Sequence, residues 1–247
     1  MDILPIYHDY LVHLEKEREI SDEKMFHASS AGHCFRKQMY RYFDFPKEPM
    51  NETSYRILRL GTVVHKDVEN AIIHYKKNHK GNSKIYTEDK IKLESLNVVG
   101  TYDYGELSSY NDSGEDRFSI YYLKTVAAYK WSKKFGRKPE ATGDVKYKMQ
   151  IGTYALGVEN KYEPDKISMY LVWYNKNTSQ IREQVISPEW IDKAAEYWTE
   201  LNEILDDLGE EHFEEELKPE WTTGVPFEDW ECRYCQYSNI CPSKIGK

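Results

Sequence analysis

Four cysteines constrain this 247-residue chain more than any other feature. Cys232, Cys235 and Cys241 form a C-x2-C-x5-C run near the C-terminus, and Cys34 lies near the N-terminus. A disulfide scaffold is short, secreted and cysteine-dense, and this chain is none of these. Four thiols with one C-x-x-C pair suit a tetrahedral zinc ion or an iron–sulfur cluster. A metal bound with Cys34 as fourth ligand would tie the two ends of the chain together; alternatively, Cys34 is a small buried hydrophobic residue.

The length and the apolar content bound the class of protein. A chain of 247 residues suits one large domain, or a core with appendages. The first residues have no basic flank before their short apolar stretch, so we expect no signal peptide. No apolar run is long enough to span a bilayer. The sequence therefore predicts a cytoplasmic protein without membrane association, whose thiols stay reduced.

The charge of the chain is unevenly distributed. The net charge of −8 argues mildly against a non-specific nucleic-acid binder. An acidic block lies between Glu210 and Glu216. A basic strip between Lys124 and Lys148 predicts local contact with phosphate groups, the alternative being a solvated helix face. The strip comprises Lys130, Lys133, Lys134, Arg137, Lys138, Lys146 and Lys148.

Hydrophobic periodicity predicts helices alternating with short strands. The predicted helices span residues 3–20, 35–42, 53–79, 139–157 and 188–208, and the predicted strands span residues 84–93, 97–107, 118–126, 167–173 and 180–186. Hairpins combined with a crossover helix favour an α/β fold with a mixed central sheet flanked by helices. Gly209 can end the last helix.

Polar residues follow these elements in the order that a metal-dependent phosphodiesterase would need. They lie in the first long helix, in the second strand, at the end of the third strand and on one face of the next helix: His65, Asp103, Lys124, and the i, i+4 pair Gln150 and Tyr154. Alone, His65 would more often be a helix-packing histidine and Asp103 a turn residue. The series together favours a site.

The sequence resembles the RecB-like branch of the PD-(D/E)XK nucleases. It is most similar to the iron–sulfur members, which are the CRISPR-associated RecB-like exonucleases, their phage and viral relatives and the nuclease domain of AddB. The resemblance covers about residues 28–245. It rests on the order of Ser30-Ala31-Gly32-His33-Cys34, Gly61-x3-His65, Gly100-x2-Asp103, Lys124-Thr125, Gln150-x3-Tyr154 and Cys232-x2-Cys235-x5-Cys241-Pro242. Each motif alone is weak, and their common order carries the signal.

The resemblance implies a restriction-endonuclease-like core with an iron–sulfur-stapled helical cap. Residues 1–50 would be an N-terminal helical segment, residues 51–208 the nuclease core, and residues 209–247 an acidic linker with the cysteine tail. The cap would hold a 4Fe–4S cluster on the cysteines of both ends, Cys34, Cys232, Cys235 and Cys241. Zinc is the alternative that the spacing leaves open.

The resemblance also assigns roles to the polar residues. Asp103 would be the principal carboxylate ligand of Mg or Mn and His65 an imidazole ligand, which shifts the preference toward Mn. Lys124 would position or activate the attacking water, and Gln150 and Tyr154 would orient Lys124 or contact the nucleic-acid backbone. The implied substrate is DNA, as single strands or ends, in phage or prokaryotic processing, recombination or CRISPR metabolism. This setting leaves room for protein partners in a recombination or CRISPR complex.

One position departs from the family motif, which is Asp or Glu, any residue, then Lys. This chain has Tyr122-Leu123-Lys124, and a phenol with a pKa of about 10 is neutral at pH 7. Glu69, Glu106 and Asp144 are candidates for a migrated carboxylate. The alternative is a catalytically degenerate DNA-end-binding or adaptor protein that keeps the nuclease fold. A zinc-stapled interaction module would leave the series from His65 to Tyr154 unexplained.

Overall fold

The computed structural model describes residues 2–17, 24–78, 81–109, 114–139, 144–217 and 230–243. Its helices are α1 (Ile3–Lys16), α2 (Phe35–Tyr42), α3 (Glu52–Asn78), α4 (Ala128–Phe135), α5 (Val145–Tyr162), α6 (Glu189–Glu216) and α7 (Trp230–Arg233). Its strands are β1 (Phe26–His27), β2 (Lys84–Leu93), β3 (Val98–Ser109), β4 (Asp116–Val126), β5 (Lys166–Asn175) and β6 (Ile181–Ile186). None of the described helices has the length and apolar character needed to cross a membrane.

The strands form one mixed sheet. β2, β3 and β4 pair antiparallel, β4 and β5 pair parallel, and β5 and β6 pair antiparallel. The parallel step follows from the chain order, because α4 and α5 lie between β4 and β5 and parallel neighbours need such a crossover. The predicted α/β fold with a mixed central sheet flanked by helices is thereby confirmed.

The sheet forks between β3 and β4. β3 pairs with β4 only from Tyr104 to Ser109, although its pairing with β2 extends back to Val98. The short strand β1 instead pairs in parallel with the start of β3. Asp103 lies at the fork, where its Oδ2 accepts a hydrogen bond of 2.7 Å from the backbone N–H of Leu123. The carboxylate of Asp103 therefore replaces a backbone acceptor where the ladder ends.

Helix α5 lies between the sheet and α6. A Cβ on Gly152 would lie 2.0 Å from the carbonyl oxygen of Trp190, so only glycine permits this approach of α5 to α6. On the other side, Gly157 faces Ile91 of β2 with similarly little room. This close packing fixes which side of α5 faces the sheet.

Helix α3 packs on the other face of the sheet. Successive residues of a strand point to opposite faces of the sheet. Tyr122 contacts α5, so Tyr121 and its partner on β3, Tyr104, lie on the opposite face. The hydroxyl of Tyr104 donates to the backbone carbonyl of His65 at 3.1 Å. Gly61 of α3 approaches Thr125 of β4, because a Cβ at Gly61 would lie 3.1 Å from the Thr125 hydroxyl.

Several helices differ from the sequence prediction. The amphipathic helix α4, which lies within the basic strip, is not among the predicted helices. Its many lysines obscure the apolar pattern to which the buried Trp131 belongs. The predicted end of α6 at Gly209 is a kink with φ +58°, and the helix resumes through the acidic block to Glu216. It resumes because Phe213 is buried against the rings of Tyr40, Phe43 and Phe45. The predicted start of α5 at residue 139 is also early, and residues 140–143 lie outside the described part.

Candidate active site and cysteine tail

Asp103 and His65 form the centre of the candidate site. Asp103 is 8% exposed, and one of its oxygens is occupied by the backbone of Leu123. Its other oxygen, Oδ1, lies 3.7 Å from Nδ1 of His65, which is too far for a hydrogen bond. A carboxylate and an imidazole that face each other at this distance are a suitable donor pair for Mg or, better, Mn.

Lys124 lies beside this pair with its ammonium over two aromatic rings. Its Nζ is 4.7 Å from the centre of the Tyr122 ring and 4.9 Å from that of Tyr147. Burial lowers the pKa of Lys124 to about 8, a shift that Asp103 opposes and Lys130 reinforces. A buried lysine with such a pKa, beside a carboxylate, is typical of a functional site.

Tyr122, Gln150 and Tyr154 form a buried hydrogen-bonded chain. The Tyr122 hydroxyl donates to Oε1 of Gln150, and Nε2 of Gln150 donates to the Tyr154 hydroxyl at 2.6 Å. The rings of Tyr122 and Tyr154 meet edge to face at 5.7 Å. Burial raises the pKa of Tyr122 well above its usual value, so its phenol is neutral. Tyr122 therefore positions Gln150 and cannot serve as an anionic ligand.

The three candidates for a migrated carboxylate lie in different surroundings. Asp144 is buried and forms ion pairs with Lys134 and Lys148, whose hydrogen bonds hold its pKa below the usual value although burial acts to raise it. Glu106 instead lines a surface cavity with residues such as Arg117. Glu69 follows His65 by one helical turn and pairs with Lys66 at 2.7 Å. Of the three, Glu69 remains near the site.

Glu88 is a further carboxylate near the site, and the sequence reasoning missed it. The residues on either side of Glu88 pair with those on either side of Asp103, so these two residues lie opposite each other on β2 and β3. Partial burial raises the pKa of Glu88, Asp103 and Glu69 raise it further, and His65 and Lys66 lower it. Several other charged residues lie in the same strand as Glu88, and no sequence motif distinguishes Glu88 from them.

The basic strip is only partly available to a ligand. Lys134 and Lys148 bind Asp144, and Lys130 donates to the Tyr147 hydroxyl at 2.8 Å. Lys146 pairs with Glu231 of α7 and so joins α5 to the cysteine tail. Arg137 and Lys138, by contrast, are exposed beyond the end of α4. The predicted phosphate contact therefore rests mainly on the strip's exposed end.

The cysteine tail packs against the N-terminal region. Tyr237 stacks on Tyr40 of α2 with ring centres 5.1 Å apart, and the N–H of Glu48 donates to the carbonyl of Gln236 at 2.8 Å. Nη1 of Arg36 donates to Sγ of Cys241 at 3.5 Å.

The four thiols are half-buried and not disulfide-bonded. Burial raises the pKa of Cys34 to about 11, and Cys235 and Cys241 add to this shift, so the distant cysteine is a neighbour of the tail. Among the residues that the structure describes, no three His, Cys, Asp or Glu side chains stand close enough together to bind a metal ion as they are placed.

Comparisons with known proteins identify the family. The model of the PD-(D/E)XK nuclease superfamily matches residues 36–242, so the chain belongs to this superfamily. No curated protein sequence matches significantly. The crystal structure of SSO0001 superposes with a TM-score of 0.52 at 17% identity, covering 99% of this chain and 98% of that chain, and this likeness concerns the fold alone. A protein from Eubacterium rectale, named as a candidate exonuclease, gives a TM-score of 0.47 at 15% identity, covering 77% of this chain and 84% of that chain.

Proposed function

We propose that this chain is a RecB-like nuclease that cuts single-stranded DNA or DNA ends with Mg or Mn, acting as an exonuclease. The observation that carries the proposal is the position of Asp103 at the fork between β3 and β4, where it faces His65 at 3.7 Å and acts on the pKa of the buried Lys124. These three residues come from three different elements of a superfamily of nucleases. A helix-packing histidine or a turn aspartate would have no reason to lie beside a buried lysine.

Each residue has a role that its surroundings support. A divalent cation polarises the phosphate and lowers the pKa of the attacking water. Asp103 and His65 would hold the cation, since Oδ1 and Nδ1 face each other. Protonated Lys124 would stabilise the negative charge that develops on the phosphate. Gln150, whose Oε1 is held by Tyr122, and Tyr154 would orient the DNA backbone beside Lys124.

The proposal includes a 4Fe–4S cluster on Cys34, Cys232, Cys235 and Cys241. Thiols are the donor type that such a cluster needs, and the packing of the tail beside Cys34 supports a shared site. Lys37 is a cation close to two of these thiols. Burial lowers the pKa of Lys37, and Cys235 and Cys34 act to raise it. Anaerobic purification should give a brown protein containing iron and sulfide, and protein with zinc and no iron would contradict the cluster.

The biological setting in the proposal rests on the resemblance alone. It is cytoplasmic DNA processing, recombination or CRISPR-related metabolism in a phage or prokaryote, with protein partners from such a complex. Pull-down from a native host with the full chain, with and without DNase, would identify partners held independently of DNA.

End-labelled single-stranded DNA tests the nuclease directly. We expect cleavage that is faster with Mn than with Mg, that stops with EDTA, and that is lost in Asp103→Asn. Circular single-stranded DNA of the same sequence should resist, because an exonuclease needs an end. Cutting of the circle would contradict the exonuclease mode, and equal activity of Asp103→Asn would overturn the role of Asp103 as the principal metal ligand.

A second candidate function is DNA-end binding without cleavage, and the position of Tyr122 favours it. A neutral, buried phenol stands where the family has a metal-binding carboxylate. If this loss has inactivated the site, the wild-type protein should bind single-stranded DNA and leave it intact. Tyr122→Glu should then gain Mn-dependent cleavage, whereas Tyr122→Gln, which has similar size and no charge, should not. Efficient wild-type cleavage would exclude this candidate.

A further inference from the structure

Strands β2 and β3 both depart from regular alternation at the candidate site. Tyr86 and Asp89 of β2 are three residues apart, so a regular strand would place them on opposite faces. Both nevertheless contact Tyr162 of α5, Tyr86 through its ring at 4.9 Å and Asp89 through Oδ2 at 2.6 Å. Between them, Glu88 has φ +48°, a conformation uncommon for residues other than glycine.

The partner strand changes face at the same level. The ring of Tyr102 packs against Phe118, and a Cβ on Gly105 would lie 2.5 Å from the same ring. Tyr102 and Gly105 are three positions apart, so a regular strand would place them on opposite faces. Asp103 lies between them, opposite Glu88. Thr87 pairs with Tyr104 and Asp89 with Tyr102, so the register is the same on both sides of this level and one residue of each strand is left out of the pairing. This irregularity takes Glu88 and Asp103 together out of the alternating pattern.

We propose that Glu88 supplies the second metal-binding carboxylate, in place of the acidic residue that Tyr122 replaces. The inference rests on the proposed nuclease function and names one of its ligands. Residues directly opposite each other on antiparallel strands have Cα atoms about 5 Å apart, so two carboxylates there can share one cation. These side chains are not close enough together to bind a cation as they are placed, so Glu88 would turn toward Asp103 when the cation arrives. With His65, the cation would then have donors from α3, β2 and β3.

Glu69 is the competing carboxylate, and its contacts disfavour it. Its Oε2 already pairs with the ammonium of Lys66 at 2.7 Å. The described residues provide no hydrogen bond or ion pair to the carboxylate of Glu88, whose side chain is exposed. Glu88 can therefore turn toward a cation that enters with the substrate, without first breaking an ion pair.

Binding of Mn to the DNA-free protein tests the inference without relying on activity. Electron paramagnetic resonance of free Mn, titrated with protein, gives the dissociation constant. We expect Glu88→Gln to weaken Mn binding at least tenfold, as Asp103→Asn does, and to slow cleavage accordingly. Glu163→Gln is the matched control, because Glu163 is an exposed glutamate with nearly the same backbone, φ +46°. It should bind Mn like the wild type.

A rescue experiment separates ligation from structure. In the double variant Glu88→Gln with Tyr122→Glu, a carboxylate returns at the family's own position, so Mn affinity should recover by at least threefold over Glu88→Gln. A Glu88→Gln variant that only disturbed the backbone around Glu88 would not be rescued in this way. Melting temperatures of the metal-free variants within about 2 °C of the wild type would confirm an intact fold.

The possible failures are distinguishable. Unchanged Mn affinity in Glu88→Gln, or a loss that appears in Glu69→Gln instead, would overturn the role of Glu88 and leave the nuclease proposal intact. Mn binding that requires Glu88 in a protein that never cuts DNA would support the ligand and refute the nuclease. A wild-type protein that binds no Mn would overturn the inference.

Discussion

The candidate active centre and the cysteine tail are built in contrasting ways. The side chains of the centre come from α3, β3, β4 and α5, which the sheet and a buried aromatic core hold in place. The described part of the tail, residues 230–243, has one helix of four residues. A ring stack, a few hydrogen bonds and the ion pair between Lys146 and Glu231 connect it to the rest of the chain.

This difference indicates where each region obtains its order. The centre has its geometry before any ligand arrives, because packing alone positions Asp103 and Gln150. A segment with few buried contacts opens at low free-energy cost unless a ligand adds to its stability. Metal binding to such a segment contributes directly to folding. We therefore expect changes in the centre to affect chemistry first, and changes in the tail to affect stability first.

The largest effect that this contrast predicts is in Asp103→Asn. The variant should lose Mn-dependent cleavage by on the order of 100-fold or more, because it removes the charge of the principal ligand. The amide oxygen of Asn can still accept the N–H of Leu123, so the melting temperature should stay within about 3 °C of the wild type. Cleavage rates and circular dichroism melts check both parts. A variant that unfolds would break the comparison, since the centre would then depend on this carboxylate for folding.

Lys124→Met should show how much the burial of a charged lysine in the candidate active centre lowers the free energy of unfolding. The pKa of Lys124 is about 8 in the folded chain and above 10 in the unfolded chain, so burial penalises the charged form. This penalty is present in full below pH 8 and is relieved as the pH rises from 8 to 10, where the unfolded chain binds more protons.

At pH 7, Lys124→Met should therefore be more stable than the wild type, by at most about 3 kcal/mol, and inactive. Urea unfolding at pH 7, 8 and 9.5 measures the difference, which should shrink at the highest pH. Lys130→Met serves as a control for removing a neighbouring lysine. A difference that grows with pH would contradict the direction of the shift.

Cys34→Ala tests the other side of the contrast. With a cluster bound, this variant should lose iron and about 2 kcal/mol of stability, which lowers the melting temperature by roughly 4–8 °C for a chain of this size. Limited proteolysis should then cut near the tail first. Without a cluster, the change removes a half-buried thiol and should leave both the tail and the melting temperature nearly unaltered. That result would show that the tail is folded without a bound cluster.

The smallest effect concerns the exposed end of the basic strip. Arg137→Ala with Lys138→Ala should weaken binding of single-stranded DNA a few-fold and reduce the slope of log affinity against log salt by about 1.4. The paired change Lys16→Ala with Lys24→Ala, two lysines of the N-terminal region, is the control. Equal slopes in both double variants would show that the strip does not contact DNA.

Much of the fold could be predicted from the sequence because its signals are local. The alternation of residues 84–93 predicts β2 with its observed bounds, and the predicted stripe on α3, which includes Gly61 and Val64, is half-buried against the sheet. His65, Asp103 and Lys124 are predicted from motifs for the same reason, since a motif records short distances along the chain. The structure places Asp103 3.7 Å from His65 and near the buried Lys124, and the roles of these residues stay a prediction.

The features that sequence analysis missed depend on distant contacts. The irregularity at Glu88 arises from the pairing of β2 with β3, and no glycine marks its left-handed φ. The helix beyond Gly209 exists because Phe213 meets aromatic rings from the N-terminal region. Tyr122 could be identified as a departure from the motif, whereas its hydrogen bond to Gln150 required the packing of α5.

The hydrogen bond between Leu123 and Asp103 has an evolutionary consequence. It makes the principal carboxylate part of the backbone pairing of the sheet, so a lineage that exchanged Asp103 for an apolar residue would lose catalysis and weaken the fork together. The family's acidic residue at position 122 has no comparable structural role, since Tyr122 takes its place here and forms its own hydrogen bond to α5. Drift in such a lineage should therefore begin at position 122 and reach position 103 last.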